Sequence, residues 1–279
     1  YITLTPVQEA ILKIEDANSD LLVSAQTGSG KTLAFGISIA STLLAEKMEF
    51  DRPKIPLAII IAPTRELALQ VRKELEWLYV RTKAQFASCV GGMDPRAERG
   101  TLESGAHIVV GTPGRIRDHI ERGVLRLSDI KAVVLDEADE MLDMGFREDL
   151  TFILGKAPVE RRTLLFSATV PTQIAKLAKT YQKESVRISV SSKKSQHLDI
   201  SYHAIKIQPS DRDKAVVNLL RYHDVSGAIV FCNTRAAVTH LASRLTNRGF
   251  SVVALSGELS QKERNFALQS MRVGKANVC

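Results

Sequence analysis

Short runs of aliphatic residues alternate along the chain with longer segments in which apolar positions recur at helical spacing. The runs are hydrophobic at consecutive positions, which is typical of strands buried on both faces of a parallel sheet. Strands that alternate with helices indicate an open α/β sheet. In the first part of the chain the predicted strands are 21–23, 57–61, 106–110, 132–135 and 163–166, and the predicted helices are 66–80, 114–122 and 171–181.

The alternation stops between Ser189 and Gln196, where small and polar residues follow one another without periodicity. This composition favours a flexible linker, with a surface loop inside a single domain as the alternative. The pattern then resumes with predicted strands over 200–207, 228–231 and 252–255 and predicted helices over 211–222, 235–247 and 261–273. We therefore predict an N-terminal α/β domain over 1–188, a linker over 189–198 and a second α/β domain over 199–279.

Both ends of the sequence have features of a trimmed chain. It begins at Tyr1 instead of Met, and residues 276–279 are typical of a strand that is just beginning. The second unit also holds fewer predicted elements than a complete sheet of the same kind requires. We therefore expect the second domain to be cut short in this sequence.

Composition limits the protein class without deciding it. The 279 residues are 44% hydrophobic and 25% charged, which is typical of a soluble protein with room for two domains. No run approaches the roughly 18 apolar residues of a membrane span, and no signal peptide opens the chain. The net charge of +7 is compatible with a polyanion partner such as nucleic acid. The three cysteines lack metal-ligand spacing, which favours a reducing, cytoplasmic location.

The stretch Ala-Gln-Thr-Gly-Ser-Gly-Lys-Thr, residues 25–32, lies between a predicted strand and a predicted helix. Its glycines let backbone N–H groups turn toward one point, and the helix start adds further donors and a positive dipole end. Lys31 is suited to the β- and γ-phosphates and Thr32 to Mg²⁺. An ordinary turn before a helix is the weaker alternative. The predicted nucleotide-binding residues are Thr27, Gly28, Ser29, Gly30, Lys31 and Thr32.

Other polar clusters follow the carboxyl ends of the later predicted strands. They lie at 63–67, 111–115, 136–139 and 167–169, and the second unit repeats the placement at 233–235 and 256–258. In an open parallel sheet these ends share one edge, where ligands bind. We therefore expect the clusters of the first domain to form a single site.

The acidic cluster has two interpretations. Asp136 can hold Mg²⁺ through water opposite Lys31 and Thr32, and Glu137 can orient and deprotonate an attacking water. The alternative is a charged cap at the start of a helix. The phosphate loop upstream favours the catalytic interpretation, with Lys31, Asp136 and Glu137 as its residues.

Seven motifs occur along the first domain in a fixed order. They are Gln8 with its preceding residues, the Ala-Gln-Thr-Gly-Ser-Gly-Lys-Thr loop, Pro-Thr-Arg-Glu-Leu-Ala, Gly91-Gly92, Thr-Pro-Gly-Arg, Asp-Glu-Ala-Asp and Ser-Ala-Thr. This series resembles the DEAD-box ATP-dependent RNA helicases of superfamily 2, and residues 135–146 are most similar to bacterial members. The resemblance spans the whole chain and implies two RecA-like domains of the P-loop NTPase fold.

The resemblance implies a role for each matching residue. Gln8 would read the adenine edge, and Asp139, Ser167 and Thr169 would couple the nucleotide site to domain closure. ATP and Mg²⁺ are the implied cofactors and RNA the implied partner, held by backbone contacts with 2′-hydroxyl recognition. The implied RNA-binding residues are Thr64, Arg65, Gly92, Thr112, Gly114 and Arg115 in the first domain and Thr234 and Arg235 in the second.

The sequence departs from the family pattern in three places. The family's adenine-stacking aromatic would precede Tyr1, and Ser256-Gly257-Glu258 replaces the usual His-Gly-Asp. The A-T-D and H-R-x-G-R-x-G-R segments, the second of which supplies transition-state arginines, lie outside residues 1–279. We therefore expect this chain to bind ATP weakly, to hydrolyse it slowly and not to unwind RNA. A non-catalytic ATP-gated RNA clamp and a DNA-directed superfamily 2 motor are the alternatives.

Overall fold

A computed structural model describes residues 3–14, 16, 18–92, 94–190 and 200–279. The chain divides into two compact units, Tyr1–Ser195 and Gln196–Cys279. Most of the predicted linker, 191–198, lies outside the described residues. Ser189 and Val190 lie in the last strand of the first unit, so that strand runs two residues past the predicted domain boundary.

The first unit contains a seven-stranded sheet in which all paired neighbours are parallel. The strand order is β3-β4-β2-β5-β6-β1-β7, so the chain crosses over repeatedly, as in open α/β sheets. The predicted α/β class is confirmed, and each of the five predicted strands is present. The strands are β1 (Leu21–Ala25), β2 (Ala58–Ile61), β3 (Phe86–Cys89), β4 (Ile108–Gly111), β5 (Ala132–Leu135), β6 (Arg162–Ser167) and β7 (Val186–Val190).

Helices cover both faces of this sheet. Successive side chains of β2 enter opposite cores, with Ile60 packed among residues of the first three helices and Ile59 among those of the later ones. Burial on both faces explains why the strands are hydrophobic at consecutive positions. The helices are α1 (Pro6–Leu12), α2 (Lys31–Leu44), α3 (Arg65–Leu78), α4 (Pro95–Ser104), α5 (Pro113–Glu121), α6 (Ala138–Asp143), α7 (Arg147–Lys156) and α8 (Thr172–Tyr181).

The second unit has α9 (Arg212–Tyr222), α10 (Arg235–Thr246) and α11 (Gln261–Arg272), all close to their predicted bounds. A short 3₁₀ turn, Pro209–Asp211, precedes the first of them. A small core of its own is formed by Val217, Leu220, Leu241, Leu245 and Val278.

The predicted strands of the second unit are wrong as regular strands. Residues 200–207 form no regular strand in the described structure, and their apolar side chains Ile205 and Ile207 are exposed. Ala228 and Val252 each form only an isolated parallel bridge to Val278. Backbone hydrogen bonds join both of these segments to residues 277–279.

A substitution at Gly111 tests how tightly strands β3 and β4 pack against each other. A Cβ on Gly111 would collide with the backbone carbonyl of Cys89 on the neighbouring strand. Backbone cannot move aside as a side chain can, so Gly111→Ala is expected to lower the free energy of unfolding by about 1–3 kcal/mol. Urea denaturation measures the change.

Gly155 supplies the matched control. It lies in α7, and a Cβ at this position would have no atom within 4 Å, so Gly155→Ala is expected to stabilise by at most about 1 kcal/mol. Equal effects of the two substitutions would contradict the packing account of Gly111.

Candidate functional site

The carboxyl edge of the sheet collects the polar clusters of the first unit. Because β1, β2, β4, β5 and β6 are parallel, the loops that follow them open on the same edge. In the order of the strands across the sheet, these loops bring Thr112, Thr64, Asp136, Ser167 and Lys31 to that edge. The predicted nucleotide residues thus lie toward the β1 side and several predicted RNA residues toward the β4 side.

The loop between β1 and α2 has the form of a phosphate cradle. Gly28 and Gly30 adopt φ values of 80° and 83°, a left-handed conformation that side chains disfavour. Lys31 is buried as the first residue of α2, and its Nζ donates to the carbonyl of Ala25 at 3.3 Å. Ser29 Oγ is buried without a hydrogen-bond partner in the described structure. The loop therefore presents a cation, an unpaired hydroxyl and a helix N-terminus together.

Gln8 packs directly on this loop. It is the third residue of α1, where it forms a capping box with Thr5: its Oε1 accepts from the Thr5 N–H at 3.0 Å. Its Nε2 donates to the Gly30 carbonyl at 3.2 Å, and a Cβ on Gly30 would lie 2.6 Å from that nitrogen. Hydrogen bonds at both the oxygen and the nitrogen of the Gln8 amide thus hold this side chain against the phosphate loop.

Asp136 follows β5 and is almost completely buried. Its Oδ1 has no hydrogen-bond partner among the described residues. Burial raises the pKa of Asp136 to about 7, with the Lys31 ammonium opposing the rise and the Glu137 carboxylate adding to it. A buried carboxylate with an unsatisfied oxygen beside a phosphate loop is suited to a hydrated divalent cation. Thr32, the other predicted metal contact, is half-buried in the first turn of α2.

Glu137 is held in a strained conformation. Its φ and ψ are 54° and 52°, in the left-handed region, where a residue other than glycine costs roughly 1–2 kcal/mol. Its Oε1 accepts a hydrogen bond from the Thr27 hydroxyl at 3.1 Å. The turn therefore directs the Glu137 carboxylate toward the phosphate loop, where it can act on a bound nucleotide.

Three residues predicted to couple nucleotide and domain closure are in mutual contact. Asp139 Oδ2 accepts from the Thr169 N–H at 2.9 Å and from the Thr169 hydroxyl at 2.8 Å. Ser167 Oγ accepts from the Asp139 N–H at 3.3 Å. Burial alone would raise the pKa of Asp139, but hydrogen bonds from Thr169 and Ser167 outweigh it and lower the pKa. The loop after β6 is thus tied to the start of α6.

Two of the predicted RNA residues lie between β2 and α3. The Thr64 hydroxyl caps α3 by accepting from the Leu67 N–H at 3.2 Å. The Arg65 guanidinium lies so close to Gly92 that a Cβ there would collide with it, and Gly92 also has φ of 77°. Arg65 and the Gly91-Gly92 loop are therefore neighbours on the same edge.

At the start of α5 the backbone is more accessible to a ligand than the side chains are. Thr112 is the N-terminal cap of α5 and makes no side-chain capping bond, and a Cβ on Gly114 would have no atom within 4 Å. The Arg115 side chain is only 16% exposed, and its Nε binds Glu98 Oε2 at 2.7 Å. The helix start is thus open to a phosphate, whereas Arg115 is largely engaged within the protein.

Thr234 and Arg235 belong to the second unit. The Thr234 hydroxyl caps α10 by accepting from the Ala237 N–H at 3.1 Å. The exposed Arg235 donates through Nη1 to Glu258 Oε1 at 2.9 Å. Glu258 belongs to the Ser-Gly-Glu segment that departs from the family pattern, and both members of the ion pair are exposed.

Glu98 is a candidate site residue that the sequence pattern did not indicate. It lies in α4, is buried, and accepts from the Val90 N–H, from Arg115 and from His119. Helix α4 itself was not predicted, because Pro-Arg-Ala-Glu-Arg-Gly offers little apolar periodicity. The Asp94-Pro95 start with Glu98 in the first turn is the signal that could have indicated it.

Metal-ligating side chains do not gather into a dedicated cage in the part of the chain that the structure describes. No three His, Cys, Asp or Glu side chains there are placed to hold a metal ion together. Among the same residues, no helix is long and apolar enough to cross a membrane.

Comparison with family models gives two matches. The DEAD/DEAH box helicase model matches residues 5–177, and the helicase conserved C-terminal domain model matches residues 211–279. The first match covers strands β1 to β6, the phosphate loop and the acidic cluster. The second begins at the 3₁₀ turn before α9.

Similar proteins have the same family description. The chain is 39% identical to DEAD-box ATP-dependent RNA helicase CshA of Bacillus licheniformis over 98% of its length and 55% of the relative's. It is 38% identical to CshA of Geobacillus kaustophilus, over 98% and 57%. The chain thus spans about half the length of these relatives. A solved DEAD box protein from Methanococcus jannaschii is 37% identical with a TM-score of 0.61, over 98% of this chain and 72% of that one.

Asp136 gives a pH-dependent test of the site. The pKa of Asp136 is about 7 in the folded protein and about 3.9 in the unfolded chain. Burial of the charged carboxylate therefore lowers the free energy of unfolding by an amount that grows as the pH rises between these two values and stays constant above pH 7. In metal-free buffer with EDTA, Asp136→Asn is expected to raise the melting temperature by about 5 °C more at pH 8 than at pH 5. Thermal denaturation at the two pH values measures this.

The exposed Asp129 serves as the control for that measurement. Asp129→Asn removes a carboxylate that stays in solvent, so its effect is expected to be small at both pH values. A stabilisation by Asp136→Asn that is the same at pH 5 and pH 8 would contradict the raised pKa.

Proposed function

Because the chain belongs to the DEAD/DEAH box helicase family, we propose that it binds ATP with Mg²⁺, hydrolyses ATP and uses the cycle to clamp and locally unwind RNA. The observation that carries the proposal is the convergence of Lys31, Asp136 and Glu137 at one opening of the sheet edge. The relatives named as ATP-dependent RNA helicases support the choice of RNA.

The proposed nucleotide site follows from the groups around the phosphate loop. The N–H groups at the start of α2 and the Lys31 ammonium bind the phosphates, and Gln8, which already contacts the loop, selects adenine. Thr32 and Asp136 hold Mg²⁺, the latter through water, and the unpartnered Asp136 Oδ1 fits that role. When bound, Mg²⁺ supplies positive charge that offsets the negative charge of the phosphates.

Glu137 acts as the general base of the proposed hydrolysis. Its carboxylate accepts the proton of the attacking water after exchanging its hydrogen bond from Thr27 for one from that water. The strained turn keeps the carboxylate directed at the loop, so little rearrangement is needed. Lys31 meanwhile neutralises charge on the phosphates.

The proposed RNA path uses the other half of the sheet edge. The open N-terminus of α5 at Thr112 and Gly114 and the loop at Gly92 offer backbone N–H groups to phosphates. Hydroxyls and arginines at Thr64, Arg65 and Arg115, with Thr234 and Arg235 in the second unit, complete the set. Such groups recognise the backbone instead of the base sequence, and contacts to 2′-hydroxyls select RNA.

The proposed cycle is non-processive. ATP and RNA together close the two domains over a strand, the bent strand leaves its duplex, and hydrolysis reopens the cleft. The contacts of Asp139 with Ser167 and Thr169 support a link between the acidic loop and the segment that leads toward the second unit. A cytoplasmic location stays a prediction.

ATP hydrolysis with and without single-stranded RNA tests the proposal. A polypeptide of residues 1–279 is expected to hydrolyse ATP slowly, and one extended through the A-T-D and arginine-rich motifs to be stimulated strongly by RNA. A transition-state arginine typically contributes a factor of about 10³–10⁵. Robust RNA-stimulated turnover by residues 1–279 alone would contradict the slow-hydrolysis prediction.

The same assay separates the alternatives. Stimulation by single-stranded DNA as strong as that by RNA would favour a DNA-directed motor. Binding of ATP and RNA without RNA-stimulated turnover in either polypeptide would favour the non-catalytic clamp.

Glu137→Gln isolates the catalytic step in the extended polypeptide. It keeps the size of the side chain but removes the base, so turnover is expected to fall by about 10²–10⁴-fold while ATP affinity changes little. Steady-state phosphate release and nucleotide titration measure the two quantities. Asp143→Asn, which neutralises an exposed carboxylate at the far end of α6, is the control and is expected to retain most activity. Parallel losses in both variants would count against Glu137 as the base.

A further inference from the structure

We propose that Glu98 is a positioning residue that sets the spacing between the two backbone elements of the RNA path, the Gly91-Gly92 loop and the start of α5. The inference rests on the proposed RNA-binding function. Glu98 itself lies in α4, behind this edge, and its side chain is only 5% exposed.

One carboxylate connects the two elements through separate oxygens. Oε1 of Glu98 accepts from the Val90 N–H at 3.0 Å, immediately before Gly91. Oε2 accepts from Arg115 Nε at 2.7 Å and lies 2.9 Å from His119 Nε2, both on α5. The loop and the helix are therefore tied to the same buried group, one on each oxygen.

Burial makes this connection rigid. The Glu98 and His119 side chains are 5% and 3% exposed and that of Arg115 16%, so water does not compete effectively for these bonds. Hydrogen bonds to a charged group in such surroundings are stronger than exposed ones. We therefore expect a substitution at Glu98 to move the loop or the helix, because water does not readily replace the lost hydrogen bond.

The arrangement also changes how Arg115 contributes. Its Nε donates to Glu98, and its Nη1 lies 3.6 Å from Asp118 Oδ2, so Glu98 is one of the carboxylates that hold the guanidinium in place. We therefore expect the effect of Arg115 on RNA affinity to depend on Glu98. The two residues should behave as one unit in substitution experiments.

Glu98→Gln is the sharpest substitution. An amide has one acceptor oxygen and one donor nitrogen, whereas Glu98 accepts on both oxygens. If the amide oxygen faces Arg115, the amide nitrogen faces the Val90 N–H, donor against donor. The variant keeps side-chain size but must release either the loop or the helix.

The experiment measures RNA and ATP affinity in the full chain. Glu98→Gln is expected to weaken binding of a fluorescent single-stranded RNA by about fivefold or more, a typical coupling magnitude, with ATP affinity unchanged. Arg115→Ala is expected to weaken it similarly, and the double variant no further than the larger single loss. Glu121→Gln is the control, because it removes an exposed ion pair with Arg117 on the same helix.

Three results would overturn the proposal. They are a folded Glu98→Gln with wild-type RNA affinity, additive losses for Glu98→Gln and Arg115→Ala, and parallel losses of RNA affinity, ATP affinity and melting temperature. The last result would assign Glu98 a general structural role. If Glu98→Gln fails to fold, Glu98→Asp keeps the charge on a shorter side chain and is expected to give a smaller selective loss of RNA affinity.

Amide hydrogen exchange separates this proposal from the proposed function. Glu98→Gln is expected to speed exchange at Val90 and in the first turn of α5 while leaving α3 unchanged. If the wild-type chain binds no RNA, the proposed function fails, and exchange still decides whether Glu98 ties the loop to the helix. Unchanged exchange at both elements would refute the tie itself.

Discussion

The parallel alignment of a sheet buried on both faces is the feature from which the rest of this structure follows. Strands β1 to β6 pack into a core on either side, so most of their residues are apolar and polar groups concentrate in the loops. Since the strands share one direction, the loops after β1, β2, β4, β5 and β6 meet at one edge. Motifs far apart in sequence become one site for this reason.

Two residues at that edge have features that are unfavourable for the stability of the fold. Asp136 is a buried carboxyl with an unpaired oxygen and a pKa of about 7, and Glu137 occupies a left-handed conformation. Both features reduce stability, and the packed sheet beneath offsets them. A nucleotide bound there with its cation, as proposed, would relieve the first and would link ligand binding to stability at the same atoms.

Charged groups on the β4 side of the edge are in contact with other groups of the protein. Arg115 and Glu98 satisfy each other within the protein, and Arg65 lies against the Gly91-Gly92 loop. Gly92 and Gly114 are exposed beside them, so backbone is accessible there as well. This arrangement suits a ligand recognised by its phosphates, because backbone N–H groups read no base sequence.

Hydrophobic runs and glycine positions in the amino-acid sequence were sufficient to predict the strands and the loop that depend on neighbouring residues alone. Runs such as 58–61 are hydrophobic at every position because both faces are buried, and the 25–32 loop carries its glycines because the backbone turns there. The same patterns did not indicate β3 or β7, the second of which alternates half-buried with exposed residues. They also predicted a strand over 200–207, which pairs with none of the described residues. The role of Glu98 depends on tertiary packing, since its three partners are brought together by contacts between α4, α5 and the loop after β3.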